Sequence, residues 1–229
     1  MLNCQCKPCN IKPMKILITA GPTREHLDPV RFLSNRSTGK MGFAVAQAAA
    51  ERGHAVTLVA GPVSLATPQG VVRVDVVSAR DMLAAIRRLL PDQDALVMSA
   101  AVADWRPRQV SETKLKKAAM APVIELEPNP DILKTVRPLK AHRLFVGFAA
   151  ETGDPLAEAQ RKLEAKGLDL IVANDVTRPD AGFAVDTNRV TFIAVAEDPR
   201  SLPLQSKLDV GREIVAWVER HLPPPAPPG

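Results

Sequence analysis

The chain has little aromatic character and no cysteine beyond its ninth residue. Phe, Trp and Tyr make up 3% of 229 residues and Tyr is absent, which is poor equipment for stacking bases along a single nucleic-acid strand. Cysteine is confined to Cys4, Cys6 and Cys9, so the body carries no disulfide framework. These three thiolates would need a fourth ligand from His26, His54, His142, His221 or a second chain to hold tetrahedral zinc. The apolar runs, such as residues 95–103 and 144–150, fall far short of the ~18 residues that cross a bilayer. No membrane partner is expected. The first residues also lack the apolar stretch of a signal peptide, so the expected compartment is the cytoplasm. GxSxG, HExxH and a catalytic-looking cysteine in the body are missing as well, which removes nucleophilic hydrolysis and zinc-peptidase chemistry.

What is present is an ordinary globular composition, 46% hydrophobic and 24% charged, with a net charge of +5. The basic residues are scattered except for Lys114, Lys116 and Lys117. That pattern suits one local phosphate site better than a duplex footprint, and no nucleic-acid partner is expected.

Strands and helices alternate along the chain. Residues 14–20 read as a β-branched strand closed by Gly21-Pro22-Thr23. A long polar segment leads to an Ala-rich helix ending at Gly53, followed by strands at 54–61 and 71–77. Ser78 is placed to cap a helix over 79–90, and residues 94–100 form a buried strand. From 101 to 127 the pattern lapses around Pro107 and the lysines, with a strand-like stretch at 122–127. This excursion reads as an active-site flap or a dimer arm. A short helix then opens at Asn129-Pro130-Asp131, with strands at 143–148, 168–173 and 189–196 and helices at 155–166 and 207–220. The fold class is therefore α/β: a doubly wound, mostly parallel, Rossmann-like sheet with a flap or dimerisation arm inserted after the strand that leads to Asp104. A single domain is expected over 14–222, with the flap or arm at about 104–127. Residues 1–13 read as a dispensable, disordered leader, since Met14 could itself serve as a start, and the Pro-rich residues 223–229 read as a disordered tail.

Ligands of such a sheet gather beyond the carboxyl ends of its strands. Residues 21–35, 100–104, 147–152 and 174–175 stand at such ends and should converge. Ser37, Thr38 and Gly39 precede a helix start and could receive a phosphate on free N–H groups, or Ser37 or Thr38 could simply cap the helix. Arg31 and Asn35 would share a face if they flank one helical turn, forming an anion grip; a surface ion pair from Arg31 to Glu25 or Asp28 is the plainer alternative. Asp104 follows four small or apolar residues, where an unpaired carboxylate is costly, so a metal, a ligand donor or a lysine should answer it unless it caps a helix or meets solvent. Lys114 lies in the charged excursion, suited to a polyphosphate. Lys162 and Lys166 stand four apart on a helix, either straddling phosphates or forming its wet side with Glu158 and Glu164. The Gly triplet of a dinucleotide site and the full P-loop are both missing.

Five strings occur in order: ITAGPTREHLDPVRFLSNRSTGKMG, SAAVADWRP followed by KLKK, NPDIL, VGFAAET and LIVANDV. Together they resemble the phosphopantothenate-cysteine ligase family, the second activity of the bacterial bifunctional coenzyme A biosynthesis flavoprotein, over about residues 14–221. The resemblance implies amide synthesis from 4'-phosphopantothenate and L-cysteine through an acyl-cytidylate, consuming CTP, requiring Mg²⁺ and releasing pyrophosphate and CMP. It implies that Arg31 binds the substrate phosphate across a dimer interface, and that Asn35 holds the pantothenate part and the intermediate. Ala100 and Ala101 contribute substrate contacts. Asp104, Lys114, Pro130, Asp131, Ile132, Phe148, Lys162 and Lys166 take the nucleotide, with Asn35, Asp104 and Lys114 carrying the chemistry and the metal ligands unassigned. A homodimer is implied, and association with a separate flavin-dependent decarboxylase is a further expected partnership, because the family's flavin-dependent half does not precede these strings here. The rival readings are a nicotinamide-dependent oxidoreductase, disfavoured by the missing Gly triplet, and a nonenzymatic nucleotide-binding or scaffold protein.

Overall fold

The computed structural model describes residues 12–116, 123–151, 155–175 and 185–222. The expected leader, almost all of it, and the Pro-rich tail lie outside these residues. The first strand, β1 (Lys15–Ala20), is buried on both sides and seeds the sheet. A hairpin of β2 (Arg24–His26) and β3 (Phe32–Ser34) follows, then α1 (Lys40–Glu51), β4 (Ala55–Ala60), β5 (Val71–Asp75), α2 (Ala79–Leu89) and β6 (Ala95–Met98). After β7 (Trp105–Pro107) and β8 (Leu126–Pro128) come α3 (Ile132–Val136), β9 (Leu144–Glu151), α4 (Pro155–Lys166) and β10 (Leu170–Asp175). The chain closes with β11 (Thr187–Asn188), β12 (Val190–Ala194), β13 (Arg200–Ser201), β14 (Gln205–Ser206) and α5 (Lys207–His221).

Eight strands form one sheet in the order β13-β12-β10-β9-β6-β1-β4-β5. The six from β10 to β5 run parallel, and β12 and β13 add antiparallel at one edge. The doubly wound α/β reading is thus correct. Successive β1 residues alternate faces: Ile16, Ile18 and Ala20 pack with α1 and α5, while Leu17 packs with α2, α3 and α4. Both faces are covered, as parallel strands require. No helix among the described residues is long and apolar enough to cross a membrane.

Several element limits shift. The strand expected at 168–173 runs over Leu170–Asp175, because Gly167 turns with a positive φ and Leu168 sits beneath β9. The late strand is shorter, Val190–Ala194, and antiparallel. The polar segment after Gly21 contains the β2–β3 hairpin, where no strand was expected. The excursion after Asp104 is a second hairpin, β7 paired antiparallel with β8, and part of the strand-like stretch at 122–127 belongs to it.

Helix α1 packs unusually close to β1. A Cβ at Gly42 would stand 2.6 Å from the Ala20 Cβ and 2.7 Å from the Thr19 carbonyl oxygen. The Gly42→Ala variant is therefore overpacked and should lose about 1–3 kcal/mol of stability, read as a lower denaturant midpoint at unchanged slope.

Candidate functional site

The winding of the sheet reverses between β1, which leads on to β4 and β5, and β6, which leads back to β9 and β10. Beyond the carboxyl ends of these strands, two loops lie side by side. Pro22 and Ala101 form a parallel bridge that prolongs the β1–β6 pairing. The Ala101 N–H donates to the Gly21 carbonyl at 2.9 Å, and the Thr23 N–H donates back to the Ala101 carbonyl at 3.2 Å. Side chains complete the lock. Thr19 Oγ1 accepts from the Ala100 N–H at 3.1 Å, and buried Thr23 Oγ1 accepts from the Ala103 N–H at 3.0 Å. Asn35 Nδ2 donates to the Ala101 carbonyl at 3.0 Å. Asn129 donates through Nδ2 to the Ala103 carbonyl at 2.8 Å and through its backbone N–H to the Asp104 carbonyl at 2.7 Å.

Two hollows open here. The first is lined by Ala100, Asp104, Asn129, Pro130, Asp131, Ile132, Phe148 and Lys166 among others. The second is lined by Ser37, Thr38, Gly39, Lys40, Ser99, Phe148, Asn174, Asn188 and Lys207 among others. Phe148, near the end of β9, borders both. The four strand-end segments that should converge therefore do so, as far as they are described; residues 152–154 lie outside.

Seven of the expected residues meet in the first hollow: Ala100, Asp104, Pro130, Asp131, Ile132, Phe148 and Lys166. Asn35 reaches the loop that walls it through Ala101. Asp131 caps α3 by accepting from the Lys134 N–H at 3.1 Å, and its other oxygen faces Lys166 Nζ at 3.5 Å. The charges at this wall therefore come as a pair.

Other expectations change. Asp104 is exposed rather than closed in by an answering lysine, because β6 ends at Met98 and the loop carries residue 104 out to solvent. Arg31 and Asn35 do not flank a helical turn: β3 runs between them. Arg31 instead forms the plainer pair, with Asp28 at 2.6 Å. The α1 N-cap is Gly39, at φ 81° and with no side-chain cap, instead of Ser37 or Thr38. A positive φ there is a conformation that glycine adopts without strain. Lys162 turns to Glu158 at 3.5 Å and is not among the lining residues of either hollow. Lys114 is exposed, and its stretch is tied down: the Ser111 N–H donates to the Leu27 carbonyl at 3.0 Å, and Leu115 binds the β2–β3 turn. Lys117 lies outside the described residues.

Reasoning from sequence passed over Thr19, Thr23, Asn188 and Lys207. A threonine at the end of an otherwise apolar strand was the available signal for the first. Lys207, 6% exposed, looked like any lysine at a helix start. Burial, with Lys40 nearby, pushes its pKa down, while Asp186 opposes that shift. Lys207 Nζ donates to the Val185 carbonyl.

A crevice at the reversal of the sheet's winding, walled by loops of small residues, marks a doubly wound domain whose ligand site lies beyond the carboxyl ends of its strands. The family described as DNA/pantothenate metabolism flavoprotein C-terminal domain matches residues 11–222, and the chain belongs to that family. It is 49% identical over 201 residues to the coenzyme A biosynthesis bifunctional protein CoaBC of Bacillus subtilis, covering 87% of this chain and 50% of that protein. Its identity to the Escherichia coli CoaBC is 49% over 210 residues, covering 90% and 52%. The chain thus spans about half the length of these relatives. Among solved structures, the C-terminal domain of a CoaBC superposes with a TM-score of 0.80 at 42% identity, covering 93% of this chain and 97% of that one.

The loop lock can be probed directly. Thr23→Val keeps the shape but leaves the buried Ala103 N–H without its acceptor, which should cost about 1–3 kcal/mol. Chemical denaturation reads the loss, and the Ala103 amide should exchange faster with solvent.

Proposed function

We propose that this chain is a phosphopantothenate-cysteine ligase, joining 4'-phosphopantothenate and L-cysteine in coenzyme A biosynthesis with CTP as co-substrate. One observation carries the reading. Asn35 is held on the Ala101 carbonyl, in the loop whose residues Ala100 and Asp104 line a hollow together with Asp131, Lys166 and Phe148. An acid bound at Asn35 and a nucleotide bound in the hollow would meet at the Ala100–Ala101 peptide. Membership in a family whose relatives bear the name of coenzyme A biosynthesis supplies the substrate class.

A carboxylate cannot be attacked by an amine until its oxygen becomes a leaving group. The pantothenate carboxylate therefore attacks the α-phosphorus of CTP, pyrophosphate departs, and the cysteine amine displaces CMP from the acyl-cytidylate. Proximity supplies much of the rate, because both steps join groups held at one place. Asn35 orients the carboxyl end of the acid, and Arg31 offers charge to its phosphate. The N–H groups of Ala100 and Ala101 already serve Thr19 Oγ1 and the Gly21 carbonyl, so this pair shapes the floor of the site. Pro130, Ile132 and Phe148 enclose the nucleoside, and Asp104 and Asp131 face its polar edge. Lys114 and Lys166 balance charge on the triphosphate, which grows on the departing pyrophosphate.

Among the described residues no three His, Cys, Asp or Glu side chains gather into a ready-made metal cage. Mg²⁺ takes one or two carboxylates together with substrate phosphates, and Asp104 and Asp131, both lining the same hollow, fit that need. Bound there with CTP, the ion would neutralise phosphate charge.

A homodimer belongs to the same reading. Phe32 and Trp105 are 42% and 54% exposed, and Leu126 is 40% exposed. All three sit on the two hairpins that stand off the main sheet, which is an apolar surface suited to a second copy. Association with a separate flavin-dependent decarboxylase is a further partnership of the same reading.

Purified protein given Mg²⁺, 4'-phosphopantothenate and CTP should release pyrophosphate only when the acid is present, and form the cysteine adduct only when cysteine is added. ATP in place of CTP should be much slower. Lys114→Ala should lower kcat/KM by about 100-fold or more. A folded protein that releases no pyrophosphate with either nucleotide contradicts the assignment.

A further inference from the structure

Asp28 lies in the turn between β2 and β3, and its side chain has no exposure to solvent. Five donors converge on it. Oδ1 accepts from the backbone N–H groups of Val30 and Arg31, each at 2.8 Å. Oδ2 accepts from Arg31 Nε at 3.0 Å, from Arg31 Nη2 at 2.6 Å and from the Leu115 N–H at 3.2 Å. Arg31 Nη2 donates in addition to the Leu115 carbonyl at 3.0 Å. The N–H and the C=O of Leu115 are therefore clasped together by one ion pair, 87 and 84 residues away in sequence. The clasped residue is the direct neighbour of Lys114.

The hydrogen bond from Arg31 holds the Asp28 carboxyl far below the usual carboxylate range, against its burial and with help from the Val30, Arg31 and Leu115 amides. The carboxylate stays charged wherever the protein is folded and working. Its two oxygens divide the labour: one shapes the turn, the other ties the turn to the Lys114 segment.

We propose that Asp28 is a positioning residue that makes the Arg31 guanidinium and the backbone at Lys114 one mechanical unit, so that an anion at Arg31 and an anion at Lys114 bind cooperatively. An anion that fixes Arg31 fixes the Leu115 peptide with it, and one that fixes Lys114 holds the peptide that orients Arg31. Each ligand thereby removes ordering that the other would otherwise have to supply, which is positive coupling by shared restraint. The kinetic half of this inference rests on the ligase reading; the structural half does not.

Asp28→Asn separates the two roles. The amide oxygen can keep the Val30 and Arg31 N–H groups, while its NH₂ meets only donors from Arg31 and Leu115, so the turn persists and the clasp opens. Hydrogen exchange on the full ligand-free chain should show the Leu115 amide exchanging at least tenfold faster in D28N, with peptides from α1 and α5 unchanged. Arg31→Lys, which keeps the cation but loses the planar fork, should speed the same amide. Unchanged Leu115 exchange in both variants overturns the clasp. In steady-state assays the wild-type KM for CTP should fall several-fold as phosphopantothenate rises. In D28N the two KM values should become independent while kcat stays within a few-fold. A simple loss of folded protein would lower kcat and leave the mutual dependence intact, and that result counts against a positioning role. If the wild type releases no pyrophosphate, the ligase reading fails, and the exchange measurement still decides whether the clasp exists.

Discussion

The hydrogen-bonded seam between residues 21–23 and residues 101–103 is the constraint on which the rest of the site depends. It continues the β1–β6 pairing past the ends of the strands, at the place where the winding of the sheet reverses. A crevice exists at such a reversal in any doubly wound fold. Here the crevice is given a fixed wall, because Thr19, Thr23, Asn35 and Asn129 all bind the backbone of residues 100–104. Four polar side chains are used to hold a loop of small residues, which leaves no bulk at the wall itself. The wall is therefore both rigid and close enough for a ligand to approach its backbone.

Much of this was legible in sequence, and the reasons are physical. β1, β4 and β6 are short, β-branched or apolar, and bounded by turn residues, so their period and limits could be read within two residues. The N-cap expected at Ser78 forms, with its Oγ accepting from the Asp81 N–H at 3.2 Å, and Asp81 completes a capping box by accepting from the Ser78 N–H at 2.9 Å. The β2–β3 hairpin was not legible, because Arg24, Glu25 and His26 carry no strand-like alternation. Its register is set by tertiary contacts: Glu25 is buried and accepts from the Ala79 N–H at 2.9 Å, at the start of α2. Asp104 was misjudged for a related reason. The apolar residues before it look like the continuation of a buried strand, whereas the backbone leaves the sheet at Met98 and returns as a loop.

Two cations are answered by carboxylates, Lys166 by Asp131 at the first hollow and Arg31 by Asp28 in the β2–β3 turn. Such pairs keep cations oriented without leaving a bare positive field, and a bound phosphate then competes with a carboxylate instead of with water alone. The Asp28 clasp extends the same logic from one side chain to a whole segment. A buried, fully engaged carboxylate ties a turn of the core domain to the chain beside Lys114.

On the proposed reading the acid is activated as an acyl-cytidylate at the Asn35–Ala101 wall. Its most direct test follows oxygen. With 4'-phosphopantothenate labelled with ¹⁸O in its carboxylate, turnover in the presence of CTP and cysteine should place one labelled oxygen in the phosphate group of CMP and leave pyrophosphate unlabelled. Label recovered in inorganic phosphate or in pyrophosphate, or CMP that stays unlabelled while the amide product accumulates, would contradict activation at the α-phosphorus.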